Sequence, residues 1–163
     1  MKYLFLVLFS LPLTLFAQDC SLKKEKDQFS QQERLTTGFL QLTNCRFSIT
    51  ADNKELDFFF SLGADKCLDE NSTLSIVFDD GHTKTNFRNT GSMNCEGLFH
   101  FTIRNTPTSN SNLVRLSTKK IKALVFTNDK TTTTVLLNTD QQQQVQTASD
   151  CMAKESKALI AQH

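Results

Sequence analysis

The stretch "ELDFFFSL", Glu55 to Leu62, decides the fold. Leu56, Phe58, Phe60 and Leu62 alternate with Asp57, Phe59 and Ser61. That is a period of two with one apolar face, the pattern of a strand lying against a core. Working outward, Leu74, Ile76 and Phe78 repeat it, and "DDGH" at 79–82 carries the Asp-Gly signal of a tight hairpin. Thr83 to Phe87 then reads as the return strand, polar enough to lie at a sheet edge. Phe99, Phe101 and Ile103 form another inward face, with Leu98, His100 and Thr102 opposite. Ile121, Ala123 and Val125 are expected to point inward along a further strand. "TNDK" at 127–130 turns the chain into Thr131 to Leu137, rich in β-branched residues. Upstream, Leu35 to Leu42 and Arg46 to Ala51 read as strands separated by Thr43-Asn44-Cys45. The expected fold is mainly β, an antiparallel sandwich-like domain of about seven strands.

The end of the chain changes character. Thr139 and Gln142 fit a capping box, and Val145, Met152 and Leu159 recur every seven residues beyond it. One amphipathic C-terminal helix is expected from about 140 to 160, covering a face or end of the β-domain. The Lys23-Lys24-Glu25-Lys26 cluster reads as a solvated segment. "NTPTSNSN", Asn105 to Asn112, reads as a mobile surface loop.

The beginning reads as an export signal. Lys2 precedes the apolar run Tyr3 to Phe16, and the small Ala17 stands before Gln18. Residues 1–17 are therefore read as a signal peptide and 18–163 as a single secreted or periplasmic domain with no membrane span in the mature chain. Acylation at Cys20 is disfavoured, because Asp19 rather than a small residue precedes it. The leader, ending in Phe-Ala-Gln, resembles those of exported proteins of Gram-negative bacteria. Its removal takes Lys2 from the 18 basic side chains, leaving 17 against 17 acidic ones. A neutral chain without a long basic block is not expected to bind nucleic acid, whose affinity rests on neutralising phosphates. There is no tryptophan, and the single tyrosine leaves with the leader, so the aromatics are read mainly as core.

Five cysteines in an exported chain point to disulfides. None lies in a Cys-x-x-Cys pair, which argues against a zinc ribbon or a thioredoxin-like site. Connectivity is not fixed by sequence, but placement favours two pairs. Cys67 with Cys95 would staple the hairpin they bracket, and Cys20 with Cys151 would tie the mature N-terminus to the closing helix. Cys45 is then the free, buried thiol.

The segment "NCEGLFH", Asn94 to His100, puts a thiol, a carboxylate and an imidazole close together. Glu96 would raise the pKa of the Cys95 thiol rather than lower it, and His100 should face away from the core side of its strand. The segment is read as a structural staple, not a nucleophilic site. His82, His100 and His163 lack metal-ligand spacing. The acidic loop 63–72, with Asp65, Asp69, Glu70 and Asn71, lacks the alternation of a calcium loop. Glu55, Asp57, Asp79 and Glu96 could be paired as glycosidase carboxylates, as in any exported β-protein. No phosphate-binding glycine loop and no Gly-x-Ser-x-Gly or His-Glu-x-x-His motif is present. No catalytic residue, metal ligand or cofactor is assigned.

What remains is surface recognition. Arg88, His100 and Arg104 flank the same expected sheet and are candidates for a polar binding patch. Phe59, on the far side of its strand from Phe58 and Phe60, is read as packed beneath the C-terminal helix, with an exposed interface position as the other reading. The leader, the strands, the "NCEG" middle and the final strand pair with its helix together resemble small exported bacterial β-domain proteins of uncharacterised function. The expected role is a non-catalytic binding or interaction module for an unknown protein or glycan. The alternative is a small exported hydrolase or enzyme accessory domain using carboxylates or calcium around residues 65–80.

Overall fold

A computed structural model describes residues 20–28, 31–82 and 84–160. The leader 1–17, Thr83 and His163 lie outside the described residues. Along the chain run β1 (Lys23–Lys26), β2 (Glu33–Thr36), β3 (Leu40–Leu42), β4 (Cys45–Ala51), β5 (Glu55–Ser61), β6 (Thr73–Phe78), β7 (Lys84–Arg88) and β8 (Leu98–Arg104). Helix α1 (Ser111–Thr118), β9 (Ile121–Thr127), β10 (Thr132–Leu136), α2 (Thr139–Glu155) and the short α3 (Lys157–Ile160) follow.

The strands form two antiparallel sheets. One runs β1-β2-β4-β5-β8, with β3 added beside β4; the other runs β10-β9-β6-β7. Their inner faces meet through phenylalanine rings. Phe60 and Phe99 of the first sheet lie edge-on to Phe126 of the second at 5.5 and 5.4 Å, and Phe87 stacks on Phe101 at 3.7 Å. Such pairs add about 0.5–1.5 kcal/mol beyond the burial of their area. Leu56, Phe58 and Phe60 on β5 are all buried, as are Leu74, Ile76 and Phe78 on β6. The fold is mainly β, a sandwich-like pair of sheets.

Helix α2 closes the sandwich on its core side. Val145 and Ser149 line the same small interior void as Leu42, Phe47, Phe60 and Leu116. Val145, Met152 and Leu159 are buried, as their spacing predicts, whereas Glu155 is exposed. The cap sits one residue earlier than expected: Asn138 accepts from the Gln141 N–H, and the Gln141 side chain returns to the Asn138 N–H. The helix ends at Glu155, and the separate turn α3 carries Leu159.

Four local expectations are corrected. The described residues form ten strands, because the Lys23–Lys26 segment pairs with β2 although all four residues are exposed. With no buried face, it carries no periodic signal. The Leu35–Leu42 strand is broken at Gly38, which takes a φ of 66°. Asn105–Asn112 is not simply a free loop. Asn105 is buried and donates to Asp52 O and Ser156 O, while Asn110 caps α1 by accepting from the Asn112 N–H. Finally, β9 changes phase. The register with β6 slips between Val77 and Phe78, so Ile121 points inward, and after the slip Leu124 and Phe126, not Ala123 and Val125, carry the core face. One extra residue at a bulge moves every later side chain to the other face.

Two disulfides are present. Cys20–Cys151 anchors the segment before β1 to α2, and Cys67–Cys95 joins the β5–β6 and β7–β8 connections.

Candidate functional site

The outer face of the first sheet is the most chemically differentiated surface of the molecule. Pairing across β4, β5 and β8 aligns Arg46, Ser61 and Leu98 in one row, Ser48, Phe59 and His100 in the next, and Thr50, Asp57 and Thr102 in a third. Because strand side chains alternate, these residues stand opposite the phenylalanine core. Phe59 is not packed beneath α2, which lies on the core side. Its ring is met instead by Phe39, from the β2–β3 connection, edge-on at 6.1 Å. Phe39 is 62% exposed, and the Arg46 guanidinium lies 5.4 Å from its ring centre. An aromatic pair with a cation over its outer ring is a feature that recurs at binding hot spots.

His100 sits next to Phe59 on the neighbouring strand. Its Nδ1 is 3.1 Å from Asp57 Oδ1 and 3.4 Å from Thr90 Oγ1. Burial pushes the Asp57 carboxyl above its usual range, and the attraction and hydrogen bond of His100 offset part of that. The segment before β8 fixes the imidazole from the side. The Thr90 N–H donates to His100 O at 2.8 Å, and the His100 N–H donates to Asn89 Oδ1 at 3.0 Å. Gly91 lies so near that a Cβ there would stand 2.9 Å from His100 Nε2. Carboxylate and hydroxyl thus share one ring nitrogen. In a nucleophilic triad they would occupy opposite nitrogens.

Arg88, His100 and Arg104 do not form one patch. His100 and Arg104 share the outer face of β8, where Arg104 stands opposite Glu55. Arg88 belongs to β7, in the other sheet, opposite Thr73. Sequence reasoning missed Phe39 and Arg46. The available signal was an aromatic directly after Gly38, inside a strand that the glycine interrupts.

The thiols are withdrawn from chemistry. Cys95 is bridged to Cys67, and Cys45 is buried, its pKa pushed up to about 12 by desolvation. In the acidic loop, Asp69 Oδ1 accepts from Ser72 Oγ at 2.7 Å and from the N–H groups of Ser72 and Asn71. These bonds, the Ser72 hydroxyl foremost, hold its carboxyl below the usual range. Among the described residues, no group of three or more His, Cys, Asp or Glu side chains is placed to hold a metal ion. Of the four carboxylates named above, Glu55 and Asp57 share the outer face of β5, Asp79 follows β6 in the other sheet, and Glu96 lies in the turn before β8.

A cleft of about 250 Å³ is lined by Leu22, Thr37, Leu40, Gln144, Ala148 and Cys151, among others. Thr37 and Leu40 flank the Gly38-Phe39 turn, so this apolar hollow adjoins the segment that presents Phe39.

No protein-family model, curated protein or solved structure matches the chain. Among the described residues, no helix is long and apolar enough to cross a membrane. The disulfides fit an oxidising compartment, extracellular or periplasmic.

Proposed function

We propose that this protein is a non-catalytic recognition module, exported by its leader, that binds a protein partner through the outer face of its first sheet. The observation that carries the reading is the exposed Phe39 ring, braced by Phe59 and overlaid by Arg46. A large apolar side chain held rigidly in water gives little to folding. Aromatic and Arg side chains in such a setting are the usual anchors of a protein interface. His100, Asp57 and Arg104 supply the polar surround. The hydrolytic reading has less support, because Asp57 is engaged by His100 and Asp69 by its own turn.

The test is site-specific photo-crosslinking in cells exporting the protein, with the reactive amino acid at position 39 or, as control, at position 86 on the opposite sheet. The reading predicts a discrete protein adduct from position 39 that disappears with Arg46→Glu and is absent from position 86. Adducts of equal yield from both positions, or none from position 39, would contradict it.

A further inference from the structure

The outer strand edges of the two sheets are not treated alike, and β3, which pairs only with β4, is just three residues long, itself a means of blunting an edge. On the first sheet, β1 carries Lys23, Lys24 and Lys26, all exposed, and β8 is covered where Thr90 and Asn89 bond to the His100 backbone. On the second, β7 is bounded by Lys84 and Arg88. Lysines, arginines and covering segments are the ordinary means by which proteins keep sheet edges from pairing with other chains. The remaining edge, β10, has none of them. Its sequence is Thr132-Thr133-Thr134-Val135-Leu136, uncharged, without proline, and four of its five residues are β-branched.

The backbone of β10 is arranged for pairing. The Leu137 N–H donates to Lys122 O, and the Asn128 N–H donates to Thr131 O. Hydrogen-bonded pairs alternate along an antiparallel ladder, so the odd-numbered residues of β10 bond to β9. The N–H and C=O groups of Thr132, Thr134 and Leu136 point away from it, toward a side of β10 with no neighbouring strand among the described residues. Leu136 is also 62% exposed on the outer face, beside Ala123.

We propose that β10 is a self-association edge, and that its occupant is the β10 strand of a second copy of this chain. An antiparallel pair about a two-fold axis at Thr134 would set Thr132 opposite Leu136 of the other copy. All three outward-facing residues would then be hydrogen-bonded in both chains. No charges oppose one another, and Leu136 packs across a threonine methyl. Pairing β10 with β1 or β7 of another copy would bring a lysine-guarded edge into the ladder, and β8 is already covered. The two-fold arrangement therefore consumes both open edges and stops at a dimer. The two four-stranded sheets become one continuous sheet, and the Phe39 face is left free.

Sedimentation of the protein over a range of concentrations, paired with amide exchange, tests this. The expected result is a reversible dimer in which the amides of Thr132, Thr134 and Leu136 gain protection as concentration rises. Thr134→Pro removes only an outward N–H and should leave a monomer. Thr134→Lys sets like charges across the axis and should weaken association by about tenfold or more. Should the proline variant fail to fold, the lysine variant decides. A wild-type chain still monomeric at about 100 μM, where any Kd tighter than that would populate the dimer, would overturn the proposal. So would a dimer unchanged by Thr134→Lys, or open-ended assemblies.

Discussion

Asp57 Oδ1 lies 3.1 Å from His100 Nδ1 across the β5–β8 ladder, each side chain about a third exposed, at 36 and 34%. Burial raises the Asp57 carboxyl above its unfolded value, and His100 returns only part of the cost. A carboxyl raised on folding binds its proton more tightly in the native state. Its contribution is fully present below the unfolded pKa and is lost as pH rises through the folded one. Between pH 3 and pH 6, wild type should therefore lose stability relative to Asp57→Asn, by under about 1 kcal/mol given the exposure. Urea unfolding of both proteins at the two pH values measures this. A relative gain by wild type on going to pH 6 would show that the ion pair outweighs burial.

Gly91 is fixed by His100 rather than by its own backbone. Gly91→Ala places a methyl 2.9 Å from Nε2, forcing the ring away from Asp57. Because the imidazole is the partly exposed end of a side chain and can turn aside, the cost should be under about 1 kcal/mol. The penalty should largely vanish when Gly91→Ala is made in a His100→Ala background, because the clashing ring is gone. Equal costs in both backgrounds would place the strain elsewhere.

Cys45 should be chemically silent. It is 2% exposed, and its pKa of about 12 leaves almost no thiolate at pH 8. Iodoacetamide should leave the native protein unmodified at Cys45 and label it stoichiometrically in denaturant. Labelling of the folded chain would mean that β4 opens readily.

The two disulfides should differ in access and in weight. Cys67 and Cys95 are both exposed, whereas Cys151 is buried. Mild reduction followed by alkylation should mark Cys67 and Cys95 first. The loops they join stay connected through the Leu68–Asn94 backbone pair and the Gly97 N–H to Lys66 O bond. Loss of Cys20–Cys151, spanning 131 residues, should cost about 4–5 kcal/mol on the chain-entropy account. Loss of Cys67–Cys95, spanning 28, should cost about 3–4 kcal/mol on the same account. Unfolding of the two double-alanine variants checks the order.

How far the molecule could be read from sequence depended on whether an element had one wet and one dry face. β5, β6 and β8 do, and their alternation was legible. β1 has no dry face and left no signal. β9 kept an apolar run but hid its bulge, so Leu124 and Phe126 rather than Val125 join the core cluster, while Ala123 is buried outside it. The position of Phe59 off the core face followed from parity alone. Its contact with Phe39 did not, because it depends on the break at Gly38. The meeting of His100 with Asp57 depends on β5–β8 pairing, a long-range register that no local pattern encodes.

In the proposed role, Phe39 anchors a partner. Once the protein crosslinked at position 39 is identified, titration calorimetry with that partner tests the claim most directly. Phe39→Ala should weaken binding by about 2 kcal/mol, or some thirtyfold, as for other buried aromatic anchors. Asn86→Ala on the other sheet, exposed and outside both proposed contact surfaces, should change it by less than about twofold. Equal affinity of wild type and Phe39→Ala would contradict the account.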